Sequence, residues 1–187
     1  MRIISGSARG RKLISPKDKD IRPTEDRVKE SVFNLLHGPF YDVFVLDLFS
    51  GSGGIGIEFL SRGAGMVWFN DVSKKNIETT RANVEMVKLK EQTKILQMDF
   101  EKCLEEAKRK DIRFDYIYLD PPYAKIEFYN KAMEKIQEYN LLAEEGKIIV
   151  EAPKEYEFDF GSAYSLWKEK SYGTTGIWIY QDNEESS

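Results

Sequence analysis

Cysteine and histidine are almost missing from this chain, with one of each, Cys103 and His37, in 187 residues. A lone cysteine excludes an internal disulfide and a cysteine-rich metal cluster. A lone histidine removes most of the grounds for zinc chemistry or a serine–histidine triad. No apolar run approaches the roughly 20 residues of a membrane helix. Arg9, Arg11 and Lys12 interrupt any signal-peptide core near the start. Internal repeats and low-complexity linkers are lacking too. The expectation is a soluble cytoplasmic protein with no metal and no membrane partner, built as one domain with a sizeable core. With 28 basic and 32 acidic residues, the net charge is −4. That argues against a protein that coats nucleic acid indiscriminately but leaves room for a local basic face.

What the chain does have is centred on Val43 to Glu58. The apolar run Val43 to Leu48 reads as a strand buried on both faces of a parallel sheet. Asp47 lies near its end, and Ser50, Gly51, Ser52, Gly53 and Gly54 follow before a helix-like pattern begins. A strand, a glycine turn and a helix start bring a ligand against bare backbone, with helix N–H groups facing its negative parts. The spacing Gly51-x-Gly53-x-x-Gly56 also satisfies the dinucleotide fingerprint, with Asp71 about twenty residues on to hold a ribose. A nicotinamide-dependent oxidoreductase therefore stays open here beside other users of nucleoside cofactors.

Residues 1–23 differ from the rest. Two short β-prone pieces flank Ser5 to Gly10, and the segment carries seven basic residues against two acidic ones. Such a basic hairpin predicts contact with an anionic polymer, through Arg9, Arg11, Lys12 and Arg22. Residues 24–181 form the main domain. Thr24 begins a helix that Gly38-Pro39 ends. Strands then alternate with helices: Met66 to Asn70, Thr93 to Met98, Tyr116 to Asp120 and Lys147 to Glu151 are the expected strands. A hairpin broken at Gly173 closes the chain, and the polar residues 182–187 are expected to be disordered. This pattern predicts an α/β, Rossmann-like, doubly wound and mostly parallel sheet. It has a C-terminal antiparallel hairpin and a small N-terminal β-hairpin extension. Nucleoside-dependent methyltransferases of class I share this architecture.

Asp71, Asp99 and Asp120 end successive strands, and Asp47 closes the first. On the carboxyl rim of an open sheet these groups suit a ribose (Asp71) and an adenine amine (Asp99), although each also precedes a helix and suits an N-cap. Asp120-Pro121-Pro122-Tyr123 is the most specific signal. Two prolines fix the backbone and remove two N–H donors. The Asp120 carboxylate and the Pro121 carbonyl are left as rigid acceptors, with the Tyr123 ring at the mouth. Two acceptors gripping the hydrogens of a nucleobase amine draw its lone pair out of the ring. A dehydrogenase has no evident use for that corner, whereas in-line methyl transfer from S-adenosylmethionine does. Carbon-5 pyrimidine methylation needs a cysteine nucleophile, and Cys103 lies in a charged helix as a packing residue.

Met1 to Gly6, Gly10-Arg11, Arg22-Pro23-Thr24 with Asp26 to Glu30, and Phe33 to Leu36 resemble the start of the bacterial 16S rRNA guanine-N2 methyltransferases. Asp47 to Gly53, Ser61 to Ala64, Arg81-Ala82-Asn83, Asp120 to Tyr123 and Tyr172-Gly173-x-Thr175 continue the likeness over nearly the whole chain. The resemblance implies S-adenosylmethionine as cofactor and the N2 amine of one 16S rRNA guanine as acceptor, within a small ribosomal subunit or an assembly intermediate. Asp47, Phe49, Gly51, Ser52, Gly53, Asp71, Asp99 and Phe100 are then the expected cofactor contacts. Asp120, Pro121 and Tyr123 are the expected catalytic ones. Asp71 stands where the family often has glutamate, and Ser73 replaces a common aspartate. The Asp120 corner is shared with adenine-N6 methyltransferases, which keeps that activity as the alternative, with a non-catalytic assembly factor behind it.

Overall fold

The computed structural model describes residues 1–15, 23–122 and 125–183. After the amino-terminal arm the elements are α1 (Pro23–Leu36), β1 (Phe44–Asp47), α2 (Gly54–Ser61), β2 (Met66–Asn70), α3 (Lys74–Val87) and β3 (Thr93–Leu96). There follow α4 (Phe100–Arg109), β4 (Phe114–Leu119), α5 (Glu127–Glu138), β5 (Leu142–Pro153), β6 (Tyr164–Tyr172) and β7 (Thr175–Asp182). The seven strands form one sheet in the order β3-β2-β1-β4-β5-β7-β6. The first five are parallel, and β7 runs antiparallel to both β5 and β6.

The apolar runs in the central strands are buried on both faces because helices cover both. On one face the arm and α1 to α3 pack Ile3, Leu13, Val32, Ile57 and Val84 against Val45 and Phe69. On the other, α4 and α5 pack Leu104, Ala107, Tyr129 and Met133 against Leu46 and Ile117. The chain leaves β1 for β2 and β3 on one side and returns to β4 and β5 on the other. The switch point thus falls between β1 and β4, where such sheets bind their ligands. No helix among the described residues is long and apolar enough to cross a membrane.

Three departures from the sequence expectation have physical causes. The strand expected from Lys147 starts at Leu142, because Phe114 of β4 pairs with Leu142 before a register shift carries the ladder to Lys147. Of the tail expected to be disordered, its first two residues are held in place. Asp182 pairs with Tyr164 in the last ladder, and the Asn183 N–H donates to the Ala163 carbonyl at 2.9 Å. Residues 184–187 lie outside the described ones. The arm, read as an extension, is sewn into the core. Arg2 and Lys12 form a single antiparallel bridge, while Ile3, Ala8 and Leu13 are buried.

A buried acid makes that seam. Glu58, inside α2 and wholly buried, accepts the backbone N–H groups of Ile4 (2.9 Å) and Ser5 (3.0 Å) and the Arg62 Nε (2.9 Å). Its other neighbour is Lys29 Nζ at 3.3 Å, which also donates to the Arg2 carbonyl. Burial pulls the Lys29 pKa down, against the pull of Glu58. Removing Lys29 leaves the buried Glu58 with Arg62 as its remaining cation and the Arg2 carbonyl without that donor, at a cost of up to about 3–5 kcal/mol. Lys29→Met is therefore expected to lower the unfolding free energy by about that amount in urea titrations. Lys74→Met, which breaks the exposed Lys74–Glu78 pair, should change it by less than about 1 kcal/mol. Equal effects would contradict this account of the seam.

Candidate active site

The glycine turn after β1 is pinned from three elements. Gly51 and Gly53 adopt positive φ (55° and 82°), so glycine suits both. The Gly51 N–H donates to Asp71 Oδ2 at 3.0 Å, and its carbonyl accepts from Thr80 Oγ1 at 3.0 Å. One turn along α3, Asn83 Nδ2 donates to the Ser52 carbonyl at 2.9 Å. From below, Asp47 Oδ2 accepts the Gly56 N–H at 3.1 Å. Gly56 serves packing: a Cβ there would lie 2.3 Å from the Phe69 ring. A Cβ on Gly51, by contrast, meets nothing within 4 Å, so the turn keeps one open face. Two buried polar atoms border that region without a partner among the described residues, Ser50 Oγ and Asn70 Oδ1. A bare backbone turn flanked by unsatisfied acceptors and a carboxylate fits the ribose and amino-acid ends of a nucleoside cofactor.

Among the described residues Asp71 accepts the Gly51 N–H, the Ser73 N–H (2.8 Å) and the Asn76 Nδ2 (3.0 Å). Of about four lone-pair directions on a carboxylate, one is left for a ribose hydroxyl. Asp99 is exposed and caps α4, accepting the Glu101 N–H at 2.8 Å. Phe100 is buried and lies 5.4 Å from the Phe49 ring. Phe128 of α5 closes an aromatic wall with both, at 4.8 Å from Phe100 and 6.3 Å from Phe49.

Across the switch point, Tyr118 of β4 pairs with Asp47 of β1. Asp120 follows β4 half-buried, and Pro121 is buried beside it. The corner therefore stands on the same rim as the glycine turn. Tyr123 and Arg22 lie outside the described residues. The Tyr118 hydroxyl donates to the Glu151 carboxylate at the end of β5. Its pKa is raised well above the ordinary range, by burial first and then by the charges of Glu151, Asp120 and Asp47. Burial also pushes the Asp47 carboxyl up to about 7, opposed by the Gly56 hydrogen bond and reinforced by Asp71 and Glu151. Four carboxylates gathered on one rim make a field that favours a cation. Burial pushes the Cys103 thiol up to about 12, so it is no nucleophile at neutral pH.

The basic arm residues are elsewhere. Ser7 N–H donates to the Ser61 carbonyl (2.7 Å) and Ala8 N–H to Ser61 Oγ (3.0 Å), at the far end of α2. Arg9 and Arg11 follow Ala8 in the chain and are exposed. Arg11 donates to the Met86 carbonyl near the end of α3, and Lys12 is exposed next to it. Sequence reasoning overlooked Thr80, Asn83 and Glu151 as site residues. Thr80 and Asn83 interrupt the apolar face of α3 with polar groups, which is the signal that marks them. Ser73, given no role, caps α3 by accepting the Asn76 N–H at 3.4 Å.

A mostly parallel seven-stranded sheet, a pinned glycine turn at its switch point and acidic strand ends define a class I S-adenosylmethionine-dependent methyltransferase. The chain belongs to the family described as Conserved hypothetical protein 95, which matches residues 1–181. It is similar to YlbH of Bacillus subtilis, at 39% identity over 183 residues, covering 97% of this chain and 98% of that protein. It is 33% identical to the Ribosomal RNA small subunit methyltransferase D of Haemophilus influenzae, covering 97% of this chain and 94% of that one. In structure it matches yhhF of Escherichia coli with a TM-score of 0.83, 26% identity and 97% of both chains covered.

The raised pKa of Asp47 has a sign that can be checked. Between pH about 4 and about 7 the folded state holds a proton that the unfolded state has released. Stability from this group is therefore full below that window and lost as pH rises through it, by at most about 1.4 kcal/mol per pH unit. Urea unfolding between pH 5 and 8 should show this decline in the wild type and a flatter profile in Asp47→Asn. Parallel profiles would contradict it.

Proposed function

We propose that the chain transfers a methyl group from S-adenosylmethionine to the exocyclic N2 of one guanine in 16S rRNA, by direct in-line displacement. The observation that carries this reading is the shared rim. The Asp120–Pro121 corner ends the strand next to the one whose end carries Asp47 and the pinned glycine turn. An amine and a methyl donor would then meet in one notch. Relatives named Ribosomal RNA small subunit methyltransferase D support ribosomal RNA as the substrate.

When bound, the cofactor supplies an electrophilic methyl on a sulfonium. The residues supply everything else. Thr80, Asn83 and Asp71 hold the turn in place before binding, so little reorganisation is left for the reaction itself. Asp47, Asp71, Asp120 and Glu151 favour the sulfonium charge. The Asp120 carboxylate and the Pro121 carbonyl accept the two amine hydrogens and aim the nitrogen lone pair at the methyl carbon. Asp120 would then take the proton that the methylated nitrogen sheds. The guanine would have to be splayed from its stack, as chemistry on base atoms generally requires. Residues 1–23 would serve as the RNA-contacting part, with Arg9, Arg11, Lys12 and Arg22 on phosphates. The domain would read the shape of a small subunit or an assembly intermediate.

Asp120→Ala is expected to lower turnover by about 100-fold or more while S-adenosylhomocysteine affinity, measured by calorimetry, changes little. The assay is methyl transfer to naked 16S rRNA and to small subunits, followed by digestion to nucleosides and mass spectrometry. N2-methylguanosine is the expected product. N6-methyladenosine would replace this reading with the adenine one, and wild-type turnover in Asp120→Ala would remove the corner from the chemistry.

A further inference from the structure

Asn83 is wholly buried, and its amide joins the glycine turn to the amino-terminal arm. Nδ2 donates to the Ser52 carbonyl in the glycine turn (2.9 Å) and to the Ile14 carbonyl in the arm (2.9 Å). Oδ1 accepts the Ile14 N–H at 2.7 Å. Both N–H donors of the amide are thus spent, one on each segment. Ile14 is gripped at its N–H and its C=O together, as a strand neighbour would grip it. Its own side chain is 50% exposed, so the amide and not apolar burial sets its place. A second tie lies alongside. The Met1 sulfur sits over Gly54, where a Cβ would come within 2.3 Å of it, and the Leu13 N–H donates to the Met1 carbonyl at 3.0 Å.

We propose that Asn83 is a positioning residue coupling the cofactor site to the amino-terminal arm. A cofactor that closes on Gly51 to Gly53 fixes the Ser52 carbonyl. Through one shared amide, that carbonyl holds the geometry at Ile14. Coupling of this kind is reciprocal, so a ligand seated on the arm tightens cofactor binding by the same factor. The cofactor half of the inference stands on the hydrogen bonds alone. The RNA half rests on the reading of the arm as an RNA contact.

Hydrogen exchange on the full chain, with and without saturating S-adenosylhomocysteine, separates the two halves. In the wild type the ligand should slow exchange in residues 1–15 by about fivefold or more, as well as in the glycine turn. In Asn83→Ala the turn should still respond while the arm does not. Asn83→Asp, equal in size, sets an oxygen against two carbonyls and should behave likewise if the alanine variant folds poorly. An arm indifferent to the ligand in the wild type, or still responsive in either variant, overturns the coupling. Filter binding of 16S rRNA then tests the second half. A ligand-dependent gain of about fivefold in the wild type and none in the variant supports it. Exchange coupling with no change in RNA affinity leaves the coupling standing and removes the arm from the RNA path.

Discussion

Gly51 is held at both of its backbone groups, its N–H by Asp71 and its C=O by Thr80, and the rest of the rim takes its meaning from that. A glycine at positive φ with open space where a side chain would be is free to move in isolation. Here the freedom is removed by partners just past the end of β2 and on the face of α3, the two elements that come after α2. The turn is shaped before any ligand arrives. The parallel strand order then brings the end of β4 next to it, so a proline-stiffened corner and a pinned turn share one notch.

Two acids in this protein show how environment sets role. Glu58 and Asp47 are both buried, but Glu58 is met by Lys29, Arg62 and two backbone N–H groups, and serves as a structural rivet. Asp47 meets one N–H, and burial first, then the charges of Asp71 and Glu151, raises its pKa to about 7. Carboxylates that repel one another destabilise the protein by itself and favour a positively charged ligand. The rim costs stability where it gains a preference for a cation.

The strands β1, β2 and β4 were legible because each is a short, largely apolar run with an acid at or just past its end, and β2 has the bounds its residues suggest. β5 was legible only in its second half. Its first half, Leu142 to Gly146, breaks the apolar pattern with Glu144, Glu145 and Gly146 and enters the sheet through the pairing of Leu142 with Phe114. The charge of the arm could be read but not its position. That position is set by Ile3, Ala8 and Leu13 in the core and by Glu58, an acid whose burial inside an apolar helix only the packing reveals. Asp99 shows the limit of single-residue reasoning, since an N-cap and a base-binding carboxylate call for the same residue type before the same helix. Thr80 and Asn83 carried a readable signal, as polar residues on the face that Ile77, Val84 and Val87 bury.

The most direct test of the account is a crystal structure of the chain with S-adenosylhomocysteine bound. The sulfur is expected to lie against the turn at Gly51 to Gly53 and to face the Asp120 carboxylate and the Pro121 carbonyl across a gap that admits one flat amine. A sulfur that points away from that corner, or a corner sealed from solvent in the complex, would contradict it.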